Sequence, residues 1–288
     1  MSEILQLDYY YGIEAEQFSF YRVPRLLIKD ERFKKLKEEN KKALIPYICC
    51  GDPSVEDSEK LVYALEEAGA DIIELGIPYS DPLADGPVIQ AAGLRAFAGG
   101  FRLEDTFKIV KNVRKNSQIP LVIMVYYSSI IGFGKEKFVE LCVDADIDGL
   151  IVPDLPYEEY DELKPLLDKT NVYMIPLVAL TSEDRIPMLV KESKGFVYCV
   201  SQMGVTGKGA NFHKDIREYL AAVKQTSAIP VMVGFGIRTA KDIEPFEDIV
   251  DGAIVGSNLL RILEESNYSV DAVKEYVSGF KKELNENK

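Results

Sequence analysis

A single histidine and only four cysteines occur in 288 residues, and that scarcity removes several chemistries at once. Zinc and related centres need His and Cys at ligand spacing, and no such spacing occurs. His213 has no Cys or His beside it and stands in a polar stretch opening a helix, where it reads as a solvated or capping residue. Cys49 and Cys50 are adjacent, while Cys142 and Cys199 are isolated in apolar runs. All four read as reduced residues packed in the interior or lining a pocket. Positive charge is short as well. Lys and Arg number 34 against 47 Asp and Glu, a net charge of −13. That balance argues against nucleic acid or an anionic membrane as the main partner, because phosphate backbones reward cations. It leaves room for an anionic small substrate, which a local site holds rather than the global field. No apolar run reaches the roughly 18 residues of a membrane span. The N-terminus lacks the basic start and apolar h-region of a signal peptide. These absences together predict a cytoplasmic protein with no metal.

What the sequence does contain is a regular alternation. Hydrophobic residues make up 47% and charged residues 28%, enough for a sizeable core. From residue 43 onward, short Ile/Val-rich runs at 43–50, 71–77, 121–126, 149–153, 172–178, 195–200, 230–234 and 251–255 are bounded by Gly, Pro or Asp. Runs of this kind are the mark of strands buried on both faces in a parallel sheet. Between them, 55–67, 104–115, 135–144, 157–167, 183–192, 215–224, 239–246 and 269–284 carry helical periodicity. Eight strands and their helices over about 245 residues fit a closed (β/α)₈ barrel better than an open doubly wound sheet. An open sheet wants a Gly-rich fingerprint after its first strand, whereas here that strand runs into Cys50-Gly51-Asp52-Pro53-Ser54. A weak internal echo supports repetition: Asp71, Asp148 and Asp251 each stand just ahead of a strand. Residues 1–28 do not fit the pattern and are expected to be an atypical, poorly ordered extension. Residues 29–288 then form one barrel domain, with a helix at 30–40 covering its N-terminal mouth.

In such a barrel the chemistry lies at the carboxyl ends of the strands and in the loops that follow. Glu74 sits inside the strand at 71–77, and alternation puts it opposite Ile73 and Leu75, toward the barrel interior. A carboxylate there costs several kcal/mol unless paired or neutralised. It therefore reads as a general acid/base with a raised pKa, or else as a buried ion pair or a residue at a wet rim. The loop at 77–87 holds three prolines and a glycine, so it is shaped rather than floppy. Within it, Asp81 and Asp85 read on composition as well as turn or cap residues as chemical groups. Gly234-Phe235-Gly236-Ile237 follows the seventh strand, and Gly256-Ser257-Asn258 follows the eighth and opens a short helix at 258–264. Loops in those two places recur as the phosphate site of this fold, binding the anion through backbone N–H groups and a helix N-terminus. A third glycine-rich loop at 204–209 suits a mobile lid or an ordinary flexible loop.

The segment ELGIPYSDPLADGP at 74–87, together with GDPS at 51–54, GVTG at 204–207, GFGI at 234–237 and VGS at 255–257, resembles the tryptophan synthase alpha chain family. The likeness runs from about residue 30 to 285. It implies retro-aldol cleavage of indole-3-glycerol phosphate to indole and glyceraldehyde 3-phosphate, with a free-standing indole-3-glycerol phosphate lyase as the alternative. By that resemblance Glu74 handles the proton at indole C3, and Asp85 accepts the indole N–H. Tyr198 is a pocket tyrosine near Glu74, and Tyr126 and Asp154 frame the pocket. Gly207, Gly234, Gly236, Gly256, Ser257 and the Phe235 backbone form the phosphate cradle, and Thr206 belongs to the lid. The resemblance further implies no cofactor in this chain and a beta-chain partner carrying pyridoxal phosphate, in an alpha2beta2 tetramer, with Pro78 and Asp81 at the interface. Some residues depart from the family pattern. Tyr47 stands where an indole-contacting Phe is usual, Cys49-Cys50 precedes Gly51, Ser128-Ser129 follows Tyr127, and Gln202 lies in the lid.

Overall fold

A strand that is apolar on both faces is satisfied only when it is covered on both sides, and the chain answers that demand with a parallel sheet wrapped in helices. The computed structural model describes residues 25–82, 84–191, 193–201 and 212–286. Its strands are β1 (Ala43–Cys49), β2 (Ile73–Gly76), β3 (Leu121–Met124), β4 (Gly149–Ile151), β5 (Tyr173–Met174), β6 (Leu177–Ala179), β7 (Val197–Val200), β8 (Val231–Gly234) and β9 (Gly252–Val255). All pairings are parallel, in the order β5-β4-β3-β2-β1-β9-β8-β7-β6.

Nine strands stand where eight runs were expected, because the run at 172–178 is split at Pro176. Upstream of the proline, the Ile175 N–H still donates to Leu150 on β4 at 2.9 Å. The Pro176 carbonyl then accepts from Tyr198 on β7 at 2.9 Å. The two outer segments of the sheet are thus halves of one strand, and this strand bridges β4 to β7. Pro176 supplies no N–H, which interrupts the ladder at that point.

Prolines also explain where expected helices broke. The stretches at 157–167, 183–192 and 239–246 were read as continuous. They form instead 3₁₀ turns at Tyr157–Glu162, Leu180–Arg185, Ala240–Asp242 and Glu244–Phe246, with short helices Lys164–Leu167 and Ile186–Val190. Pro165, Pro187 and Pro245 each sit in the first turn of the restarted piece, where a missing N–H costs nothing. Two helices were not anticipated, Pro87–Ala98 and Tyr127–Phe133. The first leaves Leu94 69% and Phe97 40% exposed, so it shows no clean apolar stripe in the sequence.

The acidic echo has a physical basis. The Asp71 N–H donates to the Leu44 carbonyl at 3.0 Å, that of Asp148 to Leu121 at 2.9 Å, and that of Asp251 to Val231 at 2.8 Å. Each carboxylate accepts in return the N–H of the same residue, at 2.8, 2.9 and 2.7 Å. Each then pairs with a base, Lys281, Arg114 or Lys224. The three aspartates therefore pin the amino ends of neighbouring strands, the face opposite the chemistry. The helix Arg25–Glu38, beginning earlier than the expected 30, lies at this same end. Its Phe33 ring meets Phe196 at 6.2 Å, and Arg32 reaches Asp71 at 3.9 Å.

Candidate functional site

At the carboxyl ends of the strands, several side chains converge on one cavity of about 230 Å³. That volume lies near the lower end of small-molecule pockets, roughly 300–1,000 Å³. Glu74 stands in register with Tyr47 on β1 and Val122 on β3, and lines the cavity as alternation predicted. It is fully buried, and neither carboxyl oxygen has a hydrogen-bond partner among the described residues. Such a group strongly prefers its neutral form. Burial, reinforced by the charge of Asp85, pushes Glu74 up to about 8. The reading of Glu74 as half of a buried ion pair is therefore set aside.

Asp85 lines the cavity from the loop after β2. Burial pushes it up to about 6, opposed by a hydrogen bond from Tyr126. The loop is braced on both sides of this residue. The Tyr126 hydroxyl accepts the Ala84 N–H at 3.0 Å, and its ring stacks on Tyr79 at 4.7 Å. The Gln90 amide donates to the Asp85 carbonyl at 2.8 Å. At neutral pH one carboxyl thus holds its proton while the other is mostly ionised. That split is the environment-driven division of two like groups into an acid and a base.

Two tyrosines form the walls beside Glu74. A methyl group at Gly76 would fall 2.0 Å from the Tyr47 hydroxyl, and one at Gly234 would fall 2.6 Å from the Tyr198 ring. These glycines are spaces for phenol rings. Gly234, expected in the phosphate cradle, does not line the cavity; it is the seat of Tyr198. Burial pushes both phenols well above their ordinary range, which keeps them neutral.

The loops after β8 and β9 line the same cavity with Phe235, Gly236, Ile237, Arg238, Gly256, Ser257, Asn258 and Arg261. Phe235 and Gly236 both take positive φ, 64° and 86°. That conformation costs a phenylalanine on the order of 1 kcal/mol or more. Ser201, buried at the end of β7, holds the turn. Its hydroxyl lies 2.7 Å from the Gly234 carbonyl and 2.5 Å from that of Phe235. The helix Ser257–Glu265 starts here with no side chain capping its first turn.

Of the remaining sequence-predicted residues, Tyr126 lies behind Asp85 rather than on the cavity wall. Asp154 is exposed and outside the cavity; its Oδ1 accepts the Tyr127 N–H at 2.6 Å and so anchors the helix Tyr127–Phe133. Pro78 packs near Gly93, and Asp81 is exposed. Thr206, Gly207 and Gln202 lie outside the described residues. The four cysteines are buried and unpaired. Among the described residues, no helix is long and apolar enough to cross a membrane. Sequence reasoning named Asn258 with the loop after the last strand but missed Arg238, Arg261 and Ser201. Their only signal was position, directly after a glycine loop or strand, or within the first turns of the helix.

Barrel topology, a neutral carboxyl facing an ionised one, and a glycine-lined anion end define an acid–base enzyme of the (β/α)₈ class acting on a small anionic substrate. A family model described as tryptophan synthase alpha chain matches residues 33–287, and the chain belongs to that family. A tryptophan synthase alpha chain of Lachnospira eligens is 54% identical over 259 residues, covering 89% of this chain and 98% of that protein. One from a Thermoanaerobacter species is 50% identical over 258 residues, covering 88% and 98%. Among solved structures, tryptophan synthase subunit alpha from Legionella pneumophila superposes with a TM-score of 0.82 at 32% identity, covering 93% of this chain and all, 100%, of that one.

Proposed function

We infer that this chain cleaves indole-3-glycerol phosphate to indole and glyceraldehyde 3-phosphate, the alpha reaction of tryptophan biosynthesis, with Glu74 and Asp85 as the working pair. The observation that carries the assignment of roles is Glu74, a buried carboxyl with no hydrogen-bond partner among the described residues, facing a cavity that also holds Asp85. A group so placed is available to a substrate that enters the cavity. Protonated Glu74 delivers its proton to indole C3, and the positive charge that develops on the ring is stabilised by ionised Asp85 accepting the N–H. The bond between C3 and the glycerol carbon then breaks, its electron pair returning to the ring. The hydroxyl on that carbon gives up its proton to the Glu74 carboxylate and becomes the aldehyde. The acid ends as it began, and atoms and charge balance. The C3-protonated ring is itself the electron sink, so the step draws on no cofactor.

The beta chain of the family is the partner expected to consume the indole, in an alpha2beta2 assembly. Pyridoxal phosphate belongs on that chain, and Pro78 and Asp81 on the loop beside Asp85 are the residues assigned to the contact. Incubating the chain with indole-3-glycerol phosphate and measuring free indole, alone and with a beta chain, tests the reading. Activation by the partner of one to two orders of magnitude corresponds to about 1.4–2.7 kcal/mol of coupling. Full turnover without a partner identifies a free-standing lyase instead. No indole in either case refutes both.

A further inference from the structure

We propose that Arg238 and Arg261 form a cationic clamp for the phosphate of the substrate, making this chain's selectivity for phosphorylated indole-glycerol a matter of charge as well as of backbone hydrogen bonds. The inference rests on the reading of the cavity above and extends it to two residues that reading leaves without a role.

Both arginines line the same cavity as Glu74, together with Gly236, Gly256 and Ser257. Arg32, Arg95, Arg114, Arg185 and Arg217 each hold a carboxylate, and Arg102, which holds none among the described residues, is exposed and lies away from the cavity. Arg238 and Arg261 hold none among the described residues, although acidic groups outnumber basic ones, 47 to 34. Two guanidinium groups without a carboxylate, on one cavity of so acidic a protein, mark a place kept for an external anion. Their framework is fixed while their heads are left available. The Arg238 N–H donates to Asp242 at 2.9 Å, and its carbonyl accepts from the Tyr276 hydroxyl at 2.8 Å and from the Asn258 amide at 3.4 Å. The other end of that amide, Asn258 Oδ1, accepts from Arg261 Nη1 at 3.3 Å. Asn258 thus ties the loop after β8 to the helix after β9 and leaves Arg261 with further donors to spend. The helix Ser257–Glu265, which carries Arg261, opens on the same cavity with no side chain capping its first turn. Guanidinium donors match phosphate oxygens in pairs, and each charge-assisted bond is stronger than a neutral one.

The test is calorimetric binding of glycerol 3-phosphate and of inorganic phosphate to the full chain, to Arg238→Ala, Arg261→Ala and the double variant, and to Arg238→Lys. Each alanine should weaken glycerol 3-phosphate binding about tenfold and the double variant about a hundredfold, with lysine recovering part of the loss. The salt dependence of binding should flatten in the same order. In turnover of indole-3-glycerol phosphate, KM should rise by the same factors while kcat at saturation and the pH limbs stay put. Thermal melts matching the parent exclude unfolding as the cause, and the lysine variant keeps the question open to measurement if an alanine variant melts early. Alanine variants that bind glycerol 3-phosphate within about twofold of the parent overturn the clamp. Arginine-dependent phosphate binding in a chain that releases no indole would leave the clamp standing and remove the proposed reaction.

Discussion

Replacing Glu74 with glutamine should make the protein more stable and inactive at once, and the size of the gain should depend on pH. Glu74 is fully buried and lacks a hydrogen-bond partner among the described residues, and its pKa rises from 4.5 to about 8 on folding. Between those two values the unfolded chain has released the proton while the folded chain keeps it. The folded state is then the one that binds more protons, so its stability falls as pH rises. The slope is about 1.4 kcal/mol per pH unit, which over the window reaches about 5 kcal/mol as an upper bound, since water in the cavity relieves part of it. Glutamine carries no charge and is nearly the same shape, so it escapes this loss. Urea unfolding of parent and Glu74→Gln at pH 5, 6, 7 and 8 reads the difference directly. The variant should gain little at pH 5 and about 3–5 kcal/mol at pH 8, while indole release falls by at least about a hundredfold for want of a transferable proton. A stability difference that stays flat across this range would show that Glu74 titrates as an ordinary carboxyl. It could not then serve as the acid, whatever the activity data said.

The same pair sets the pH profile. Asp85 must be ionised and Glu74 protonated, so kcat/KM should rise through about 6, fall through about 8 and shift its acid limb in a Tyr126→Phe variant, because the Tyr126 hydroxyl opposes the rise of Asp85. A profile level from pH 5 to 9 contradicts the assignment. Gly234→Ala should lower activity by forcing the Tyr198 ring off its seat, and a second change, Tyr198→Ala, should restore the stability lost in the single variant by making room. Equal melting temperatures for single and double variants would refute that packing account. Arg114→Ala removes the cation paired with Asp148, which is only 2% exposed, and should cost about 3–5 kcal/mol in urea unfolding. A cost under about 1 kcal/mol would mean that the contacts Asp148 keeps, the Leu121 N–H among them, satisfy the carboxylate.

Which of these features the sequence disclosed follows from what each one depends on. Strand runs and Glu74 were legible because local alternation determines which face a side chain occupies, and a carboxylate on an inward face is conspicuous. Broken helices were legible too late: Pro165, Pro187 and Pro245 were visible, yet helical periodicity on either side outweighed them, whereas the missing N–H decides. The acidic echo at Asp71, Asp148 and Asp251 was visible as spacing, but its cause lies in pairings across strands 20 or more residues apart. Gly234 shows the limit most sharply. A glycine after a strand reads as an anion cradle, and nothing in the sequence says that Tyr198, on the neighbouring strand, needs the room. The arginines are the converse case. A surface arginine in sequence is unremarkable, and Arg238 gains meaning only when folding leaves it on the cavity with no carboxylate partner among the described residues. The residues proposed to act on substrate are thus marked by what folding withholds from them. Among the described residues the protonated Glu74 has no acceptor for its O–H and Arg238 has no carboxylate, both on the wall of one cavity, and the proposed substrate, with a proton-accepting ring and an anionic tail, would supply both.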